Sequence, residues 1–252
     1  MITMTKPYLL FDAGGTIVFP DFDYLSKTAA EFGIRVTTEE LFQIHSELIY
    51  RLDFMTSQKK IFVDPFPKSF ARTLFNHLDP METSTEAFFK KIEKRNNSKS
   101  LWQSTNNSVI DALTKLKNNG YQMSVISNSD GRVYEILESL GILKFFDEVF
   151  DSEILDVSKP DPKIFEIAIN QLSIHPEKSL YIGDIFYLDI WGANNAGLGA
   201  IHLDPLNLYK GWPGVHLPGI FYLPEWLDSY SSFPSNYNLY PLRHQEIKCL
   251  KA

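Results

Sequence analysis

An aspartate at the end of an apolar run is the first residue of this chain whose type and setting suit chemistry. Asp12 follows the segment YLLF and precedes two glycines and a threonine, in the order DAGGT. A carboxylate at the end of a buried strand can act as a nucleophile or bind a metal ion. Backbone N–H groups of a glycine-rich turn can hold an anion beside it. The same stretch also suits a simple tight turn, so Asp12 alone does not define a site.

Three later segments also place reactive side chains beside predicted strands. Ser127 and Asn128 follow MSVI, Lys159 lies in DVSKPDP, and Asp184 and Asp189 follow the run LYIG. Taken singly, each has a structural explanation as a helix cap or a solvated loop residue. In parallel α/β sheets, however, ligands bind beyond the carboxyl ends of the strands. The order and spacing of all four segments therefore predict one site at one edge of a sheet.

The elements that must position these residues alternate between strand and helix after about residue 104. Apolar runs predict strands at YLLF, YQMSVISN, FFDEVFDS, SLYIGD and GAIHL, with GAIHL as the final core strand. Helical periodicity lies between them in VIDALTKLKNNG, GRVYEILESLGI, PKIFEIAINQL and LDIWGANNAG. This alternation predicts an α/β fold, a Rossmann-like parallel sheet with helices on both faces.

A mostly helical segment interrupts the alternation after the first strand. Helical spacing runs through DYLSKTAAEFGI, TTEELFQIHSELIYRLDFM, PFPKSFARTLFNHL and TEAFFKKIEKRN, with Thr38 as the predicted N-cap of the second helix. The polar stretch NNSKSLWQSTNN is predicted to be a loop. We therefore predict a core domain of residues 1–17 and 104–252 and an inserted helical domain of residues 18–103. A C-terminal extension begins at about residue 205, where GIFYLPEWL suits one more strand and a short helix.

Composition and charge narrow the classes of partner. The chain has 252 residues, of which 44% are hydrophobic and 22% charged, and its formal net charge is −7. This acidic balance argues against nucleic acid and acidic membrane surfaces as partners. We expect no leader and no membrane span, because no apolar run is long enough. The single cysteine, Cys249, excludes an internal disulfide and suits a reducing, cytoplasmic compartment.

The motifs FDAGGT, VISN, SKPDPKIF and IGDIFYLDIWGANNAG together resemble those of the haloacid dehalogenase-like hydrolase superfamily. The run from ISNSDGRVYEILESLG to GANNAGLGAI resembles its REG-2-like branch, and the helical insertion is similar to the cap of its C1 class. The resemblance implies a Rossmann-like core with an α-helical cap. It also implies a hydrolase that acts on a small phosphorylated substrate and uses Mg²⁺ as its cofactor.

The resemblance also implies a role for each motif residue. Asp12 would be the nucleophile that forms an aspartyl-phosphate, with Ser127 and Lys159 as further catalytic residues. The phosphate-binding residues would be Gly14, Gly15, Thr16, Ser127, Asn128 and Lys159. The metal ligands would be Asp12, the carbonyl of Gly14, Asp184 and Asp189, the last bound directly or through a water molecule.

The chain departs from the family pattern at Gly14. Phosphatases of the superfamily have a second aspartate there, which protonates the leaving group and then activates water. Loss of a general acid or base lowers a rate by about 10²- to 10⁴-fold. One interpretation is a slow or specialised phosphatase, in which water, the substrate, Asp21 or Asp23 handles the proton. Another is a non-catalytic, regulatory protein that binds phosphate esters.

Cleavage of a carbon–halogen or carbon–phosphorus bond is a further alternative. The first motif resembles that of 2-haloacid dehalogenases, which need no acid, but Asp184 and Asp189 argue against a metal-free anion site. A phosphonatase would need a cap lysine as a Schiff base, and nothing in the sequence distinguishes Lys27, Lys59 or Lys60 for that role.

Several other polar and aromatic residues have structural explanations. His45 and His77 lie on predicted helical faces and are expected to be structural. Asp130 and Arg132 are expected to cap a helix and to form a surface ion pair. The four tryptophans are expected to pack in the core or between domains.

Overall fold

The computed structural model describes residues 6–59, 70–78 and 86–230. Lys60, Cys249 and the part of the predicted extension after residue 230 lie outside the described residues. Within the described ranges the strands are β1 Tyr8–Phe11, β2 Phe19–Pro20, β3 Trp102–Ser104, β4 Met123–Ser127, β5 Val149–Asp151, β6 Ser179–Gly183, β7 Gly199–Leu203 and β8 Val215–Leu217.

Except for the short α7, which was not predicted, the helices lie within or overlap the segments predicted to be helical. They are α1 Phe22–Glu31, α2 Thr38–Lys59, α3 Phe70–Asn76, α4 Glu86–Ser98, α5 Asn107–Asn118, α6 Val133–Ser139, α7 Ser152–Leu155, α8 Pro162–Leu172, α9 Gly192–Asn195 and α10 Leu223–Tyr230. A π-helical turn, Phe186–Trp191, directly precedes α9.

The chain divides into two compact units. One, the core unit, contains the chain up to Val18 and again from Thr105, and the other, the helical unit, is Phe19–Ser104. Each has its own buried apolar residues.

The core unit is built on a parallel six-stranded sheet in the order β5-β4-β1-β6-β7-β8. Strand β1 is central, and its residues Leu9, Leu10 and Phe11 are fully buried. Such a continuous apolar run is typical of a parallel strand covered on both faces. Phe11 pairs in register with Val125 of β4 and Ile182 of β6. The predicted Rossmann-like sheet with helices on both faces is confirmed.

The prediction that GAIHL is the final core strand is wrong. Strand β8 pairs in parallel with β7 and extends the sheet by one strand. It has only three residues and lies between the turn residues Pro-Gly on either side, in the segment GWPGVHLPG, so no apolar run marks it as a strand. The later segment GIFYLPEWL forms a short turn and the start of α10, so its helix was predicted correctly and its strand was not.

The helical unit packs α1 to α4 around an apolar cluster that includes Leu25, Leu74, Phe75 and Phe88. The segment NNSKSLWQSTNN is not wholly a loop, because its first residues end α4 and WQS forms β3. Strand β3 pairs antiparallel with β2. Strand β3 was not predicted, because two of its three residues are polar and it lies in a polar stretch with no apolar run.

The start of α2 differs by one residue from the prediction. Helix α2 begins at Thr38, and the preceding residue, Thr37, makes the capping contacts. The hydroxyl of Thr37 accepts the Glu40 N–H at 3.1 Å, while the Glu40 carboxylate accepts the Thr37 N–H at 2.8 Å. This reciprocal arrangement is a capping box, which needs a glutamate three residues after the cap. Thr37 meets that spacing and Thr38 does not.

None of the helices in the described ranges combines the length and the apolar character that crossing a bilayer requires.

Candidate active site

The ends of neighbouring strands deliver the predicted site residues to one edge of the core sheet. Asp12 directly follows β1, Asp184 directly follows β6, and Ser127 is the last residue of β4. The N–H of Asp12 donates to the carbonyl of Ile182 at 2.8 Å, so β1 and β6 are still paired where the carboxylates begin. Lys159 lies in the loop between α7 and α8 and reaches the same edge.

The ammonium group of Lys159 lies at the centre of this edge, and the residue is 3% exposed. Its Nζ lies 2.5 Å from Asp12 Oδ1, 2.7 Å from Asp189 Oδ1 and 2.9 Å from Tyr181 Oη. An ammonium has three N–H donors, so these three acceptors use all of them. Burial lowers the pKa of Lys159, but the carboxylates of Asp12 and Asp189 more than offset it and hold that pKa well above its ordinary value. Lys159 is therefore charged and fixed.

The environment of the Asp12 carboxyl group disfavours its ionised form. Burial raises its pKa to about 7, the ammonium of Lys159 opposes that rise, and the carboxylate of Asp189 adds to it. The positive charge of Lys159 thus offsets only part of the effect that burial and Asp189 have on the pKa of Asp12. A further cation would favour the ionised form that a nucleophile requires.

Asp189 is held by two hydrogen bonds, one at each carboxylate oxygen. Its Oδ1 accepts from Lys159, and its Oδ2 accepts the N–H of Ile185 at 2.9 Å. The carboxyl group rests on Gly183, where a Cβ atom would overlap it. The glycine that ends β6 is therefore required for Asp189 to fold back toward the lysine.

Asp184 lies against the DAGGT turn. Gly15 has a φ of +81°, and a Cβ there would overlap the Asp184 carboxylate. The hydroxyl of Thr16 points to Asp184 Oδ1 at 3.5 Å. Burial, together with the charges of Asp12 and Asp189, raises the pKa of Asp184 well above its ordinary value. Gly15 is thus needed at this position both for its backbone conformation and for the space it leaves.

The donor set of the three acids fits a divalent cation. Asp12, Asp184 and Asp189 are buried and offer carboxylate oxygens that all lie within 4.8 Å of one another. Magnesium prefers oxygen ligands and commonly takes one or two carboxylates. Burial, together with the negative charge of the neighbouring acids, raises the pKa of Asp12 and of Asp184, so the site has both the ligand type and the charge imbalance that Mg²⁺ would satisfy.

Of the two residues predicted at the end of β4, Ser127 is buried and Asn128 is turned toward Lys159. The Asn128 side chain donates from Nδ2 to the Lys159 carbonyl at 2.9 Å and accepts the Lys159 N–H at Oδ1 at 2.8 Å. Both ends of its amide are thus engaged by one residue's main chain. The phosphate-binding role predicted for Asn128 gains no support from this geometry.

The turn that carries Gly14 is closed by main-chain hydrogen bonds. The N–H groups of Ile17 and Val18 both donate to the carbonyl of Ala13, at 3.0 and 2.8 Å. The N–H of Gly15 donates to the carbonyl of Val18 at 2.8 Å, so it is not free to bind an anion. The predicted roles of Gly14 as a metal ligand and phosphate-binding residue stay predictions.

Tyr181 belongs to this site, although it was not among the residues predicted from the sequence. It is fully buried in β6, its hydroxyl accepts from Lys159, and the same hydroxyl donates to the Ile126 carbonyl at 2.8 Å. The available signal was a polar aromatic residue inside the apolar run SLYIG. A buried tyrosine hydroxyl requires a hydrogen-bond partner.

A histidine pair behind Asp184 was also missed. His202 and His216 lie opposite each other on β7 and β8, with their Nδ1 atoms 3.0 Å apart. His202 Nε2 lies 2.9 Å from the Asp184 carbonyl. Burial lowers the pKa of His202 to about 3, so the ring is neutral and packs as part of the sheet.

The expected pairing of Asp130 with Arg132 is confirmed at 2.5 Å. Their expected role as a helix cap holds only in position, because Arg132 is the N-cap residue of α6 but its side chain makes no capping hydrogen bond. Asp151 at the end of β5 supplies that contact, since its carboxylate accepts the N–H groups of Gly131 and Val133 at 3.3 and 3.4 Å. This cap could not be predicted from local sequence, because Asp151 lies about 20 residues further along the chain, on a neighbouring strand.

Two relatives of known name match parts of the chain. The glyceraldehyde 3-phosphate phosphatase of Methanothermobacter thermautotrophicus is 44% identical over 90 residues, which cover 35% of this chain and 40% of the relative. The haloacid dehalogenase-like hydrolase domain-containing protein 3 of Bos taurus is 32% identical over 146 residues, covering 55% of this chain and 57% of the relative. The chain therefore spans between two fifths and three fifths of these relatives.

Solved structures agree on the fold. The HAD-hydrolase YfnB of Bacillus subtilis, solved bound to magnesium, superposes with a TM-score of 0.62 at 21% identity, over 89% of this chain and 100% of that one. The L-2-haloacid dehalogenase of Xanthobacter autotrophicus has a TM-score of 0.57 at 17% identity, over 89% and 99% of the two chains. The haloacid dehalogenase-like hydrolase family profile matches residues 30–202. The chain belongs to this family of hydrolases.

Proposed function

We propose that the protein is a Mg²⁺-dependent phosphatase that acts on a small phosphorylated metabolite in the cytoplasm, through an aspartyl-phosphate at Asp12. The observation that carries this proposal is the buried pair of Asp12 and Lys159 at the end of a central strand, with Asp184 and Asp189 beside it. A nucleophilic carboxylate and a fixed cation are the groups that phosphoryl transfer needs.

The residues that would hold magnesium are Asp12, Asp184 and the carbonyl of Gly14. Asp189 would bind the ion directly or through a water molecule, because each of its oxygens accepts one hydrogen bond and keeps a second lone pair. When bound, Mg²⁺ would neutralise charge on the phosphoryl oxygens and help to orient the phosphate.

The chain's own residues would carry two displacement steps. In the first, a carboxylate oxygen of Asp12 forms a bond to phosphorus while the bond from phosphorus to the leaving oxygen breaks. That oxygen keeps the electron pair. In the second, water attacks phosphorus, the bond to Asp12 breaks, and the water's proton passes to solvent. Lys159 would balance the charge of the phosphoryl group in both steps, and the Ser127 hydroxyl would donate to one of its oxygens.

Gly14 makes the leaving group important. With no carboxylic acid at this position, the leaving oxygen departs without a proton from it, which favours substrates whose leaving group is a weak base, such as acyl or aryl phosphates. We expect kcat/KM for a series of aryl phosphates to fall steeply as the pKa of the phenol rises. The Gly14→Asp variant should flatten this dependence and raise activity on the more basic phenols. An unchanged slope would mean that another group supplies the proton.

The decisive experiment measures phosphate release from p-nitrophenyl phosphate with Mg²⁺ and with a chelator. Asp12→Asn is expected to lower activity by about 10⁴-fold or more, because the nucleophile is lost. Asp111→Asn on the exposed face of α5 is the matched control and should retain activity. Activity that survives in Asp12→Asn would overturn the proposal.

Other outcomes would identify the alternatives left open by the sequence. Release of halide from 2-haloacids that is indifferent to chelators would indicate a dehalogenase. A lysine adduct trapped by borohydride would indicate a phosphonatase. Phosphate esters that bind without turnover across a broad panel would indicate a regulatory binding protein.

The panel of substrates follows from the relatives. Several carry the name glyceraldehyde 3-phosphate phosphatase. We therefore place three-carbon sugar phosphates first in the panel and acyl phosphates second, the latter because of Gly14.

A further inference from the structure

We propose that Tyr181 and Asn128 are positioning residues that hold Lys159 at its two ends, Tyr181 at the ammonium and Asn128 at the main chain. The proposal rests on the proposed function insofar as Lys159 is the cation of the reaction. It assigns Asn128 a different role from the phosphate binding predicted from the sequence.

At the ammonium end, the direction of the hydrogen bonds is determined. The carbonyl of Ile126 can only accept, so the Tyr181 hydroxyl must donate its single proton to it, at 2.8 Å. The phenol oxygen is then an acceptor toward Lys159, at 2.9 Å. Tyr181 thus connects the lysine to the main chain of β4, one residue before Ser127.

The phenol ring cannot move away from this position easily. Tyr181 is fully buried, and its ring packs edge to face on Phe165 with the ring centres 5.1 Å apart. The two carboxylates that share the ammonium lie on other elements, Asp12 after β1 and Asp189 in the π-helical turn. The tyrosine is therefore the neutral third acceptor that determines where the ammonium sits between two acids.

At the main-chain end, the side-chain amide of Asn128 bonds both the N–H and the carbonyl of Lys159, as the main chain of a neighbouring β-strand would. It accepts the Lys159 N–H and donates to the Lys159 carbonyl, at 2.8 and 2.9 Å. The loop that carries Lys159 is thereby attached to the residue that follows Ser127. Removing either attachment leaves the lysine present but free to shift, and a displacement of about 1 Å in a catalytic group can lower a rate by about 100-fold.

The kinetic test uses two nearly isosteric variants. Tyr181→Phe removes the acceptor, and Asn128→Asp replaces the donor to the Lys159 carbonyl with an oxygen. Each is expected to lower kcat on p-nitrophenyl phosphate by roughly 10- to 100-fold while KM changes by less than about twofold. In the double variant the loss should be smaller than the product of the single losses, because both act through one lysine.

A second readout does not depend on activity. The Lys159 ammonium, protected by three acceptors, should give a slowly exchanging ¹⁵N–¹H signal, assigned by its absence in Lys159→Met. That signal should disappear through faster exchange with water in Tyr181→Phe. If the wild-type protein hydrolyses no phosphate ester, the proposed function fails, and this signal still decides whether Tyr181 holds the lysine.

Tyr8→Phe is the matched control. Tyr8 is a buried tyrosine of β1 whose hydroxyl lies 2.8 Å from Ser124 Oγ and 3.1 Å from Asp147 Oδ2. It should lose similar stability and keep both kcat and the ammonium signal. The proposal is overturned if Tyr181→Phe matches Tyr8→Phe in both readouts. It is overturned for Asn128 if Asn128→Asp raises KM at constant kcat, since that result means direct phosphate binding.

Discussion

Lys159 of the core unit and His45 of the helical unit are equally buried, each 3% exposed, yet the lysine is charged and the histidine is neutral. Lys159 is surrounded by two carboxylates and a phenol, and its pKa is held well above the ordinary value. His45 lies among the rings of Phe22, Phe70 and Trp102, with ring centres 5.6 to 6.0 Å away. Burial lowers its pKa to about 4.

The difference shows that burial of a titratable side chain does not by itself indicate a functional site. Where burial outweighs the other influences on its pKa, a group gives up its charge and packs as a neutral side chain, as His45 does. Where hydrogen-bonding acceptors of opposite charge are built around it, the charge survives and is available for chemistry, as at Lys159. The expectation that His45 is structural agrees with this environment.

The largest expected effect comes from removing the buried cation. Lys159→Met leaves Asp12 and Asp189 facing each other without a counter-charge, which should lower the free energy of unfolding by about 3–5 kcal/mol at neutral pH. Urea unfolding of the variant measures this. Lys163→Met on the exposed side of α8 is the control and should change stability little. Equal stability of the two variants would show that the acids do not need the lysine.

An intermediate effect is expected from the pH dependence of His45. Its pKa is about 4 in the folded protein, against an ordinary value of 6.5 for an exposed histidine, so the unfolded state binds the proton more readily. Stability should therefore fall as the pH falls, by about 2 kcal/mol from His45 alone between about pH 7 and pH 5.

The check compares the slope of unfolding free energy against pH in the wild type and in His45→Leu. The variant should have the shallower slope, whatever its absolute stability. A slope that His45→Leu does not alter would contradict the neutral state assigned to this histidine.

The smallest expected effect concerns exposed polar contacts of the helical unit, in contrast to the buried contacts of Lys159. Thr37→Ala removes the capping hydroxyl of α2 and should lower stability by about 1 kcal/mol. Thr38→Ala, one residue later, should change it far less. Thermal or urea unfolding distinguishes the two variants. An equal loss of stability in both would contradict the assignment of Thr37 as the cap.

Most of the core fold was predictable because its elements are long enough to show a period. Strands β1, β4 and β6 are buried apolar runs, and the helices between them repeat apolar residues at spacings of three and four. Strands β2, β3 and β8 were not predicted, because β2 has only two residues and β3 and β8 lie outside any apolar run, whereas the equally short β5 lies in the largely apolar segment FFDEVF. The cap of α6 was missed, since Asp151 reaches it from another strand.

The sequence by itself determined which residues can take part in chemistry. It further determined that the ends of parallel strands would bring Asp12, Ser127 and Asp184 to one edge of the sheet. It also determined the replacement at Gly14. Only the tertiary structure decided how those residues are used: that the three donors of Lys159 are divided among Asp12, Asp189 and Tyr181, and that Asn128 holds a main chain. The physical reason is that hydrogen bonds depend on positions within about 1 Å and on direction, whereas sequence patterns specify only which residue lies on which strand.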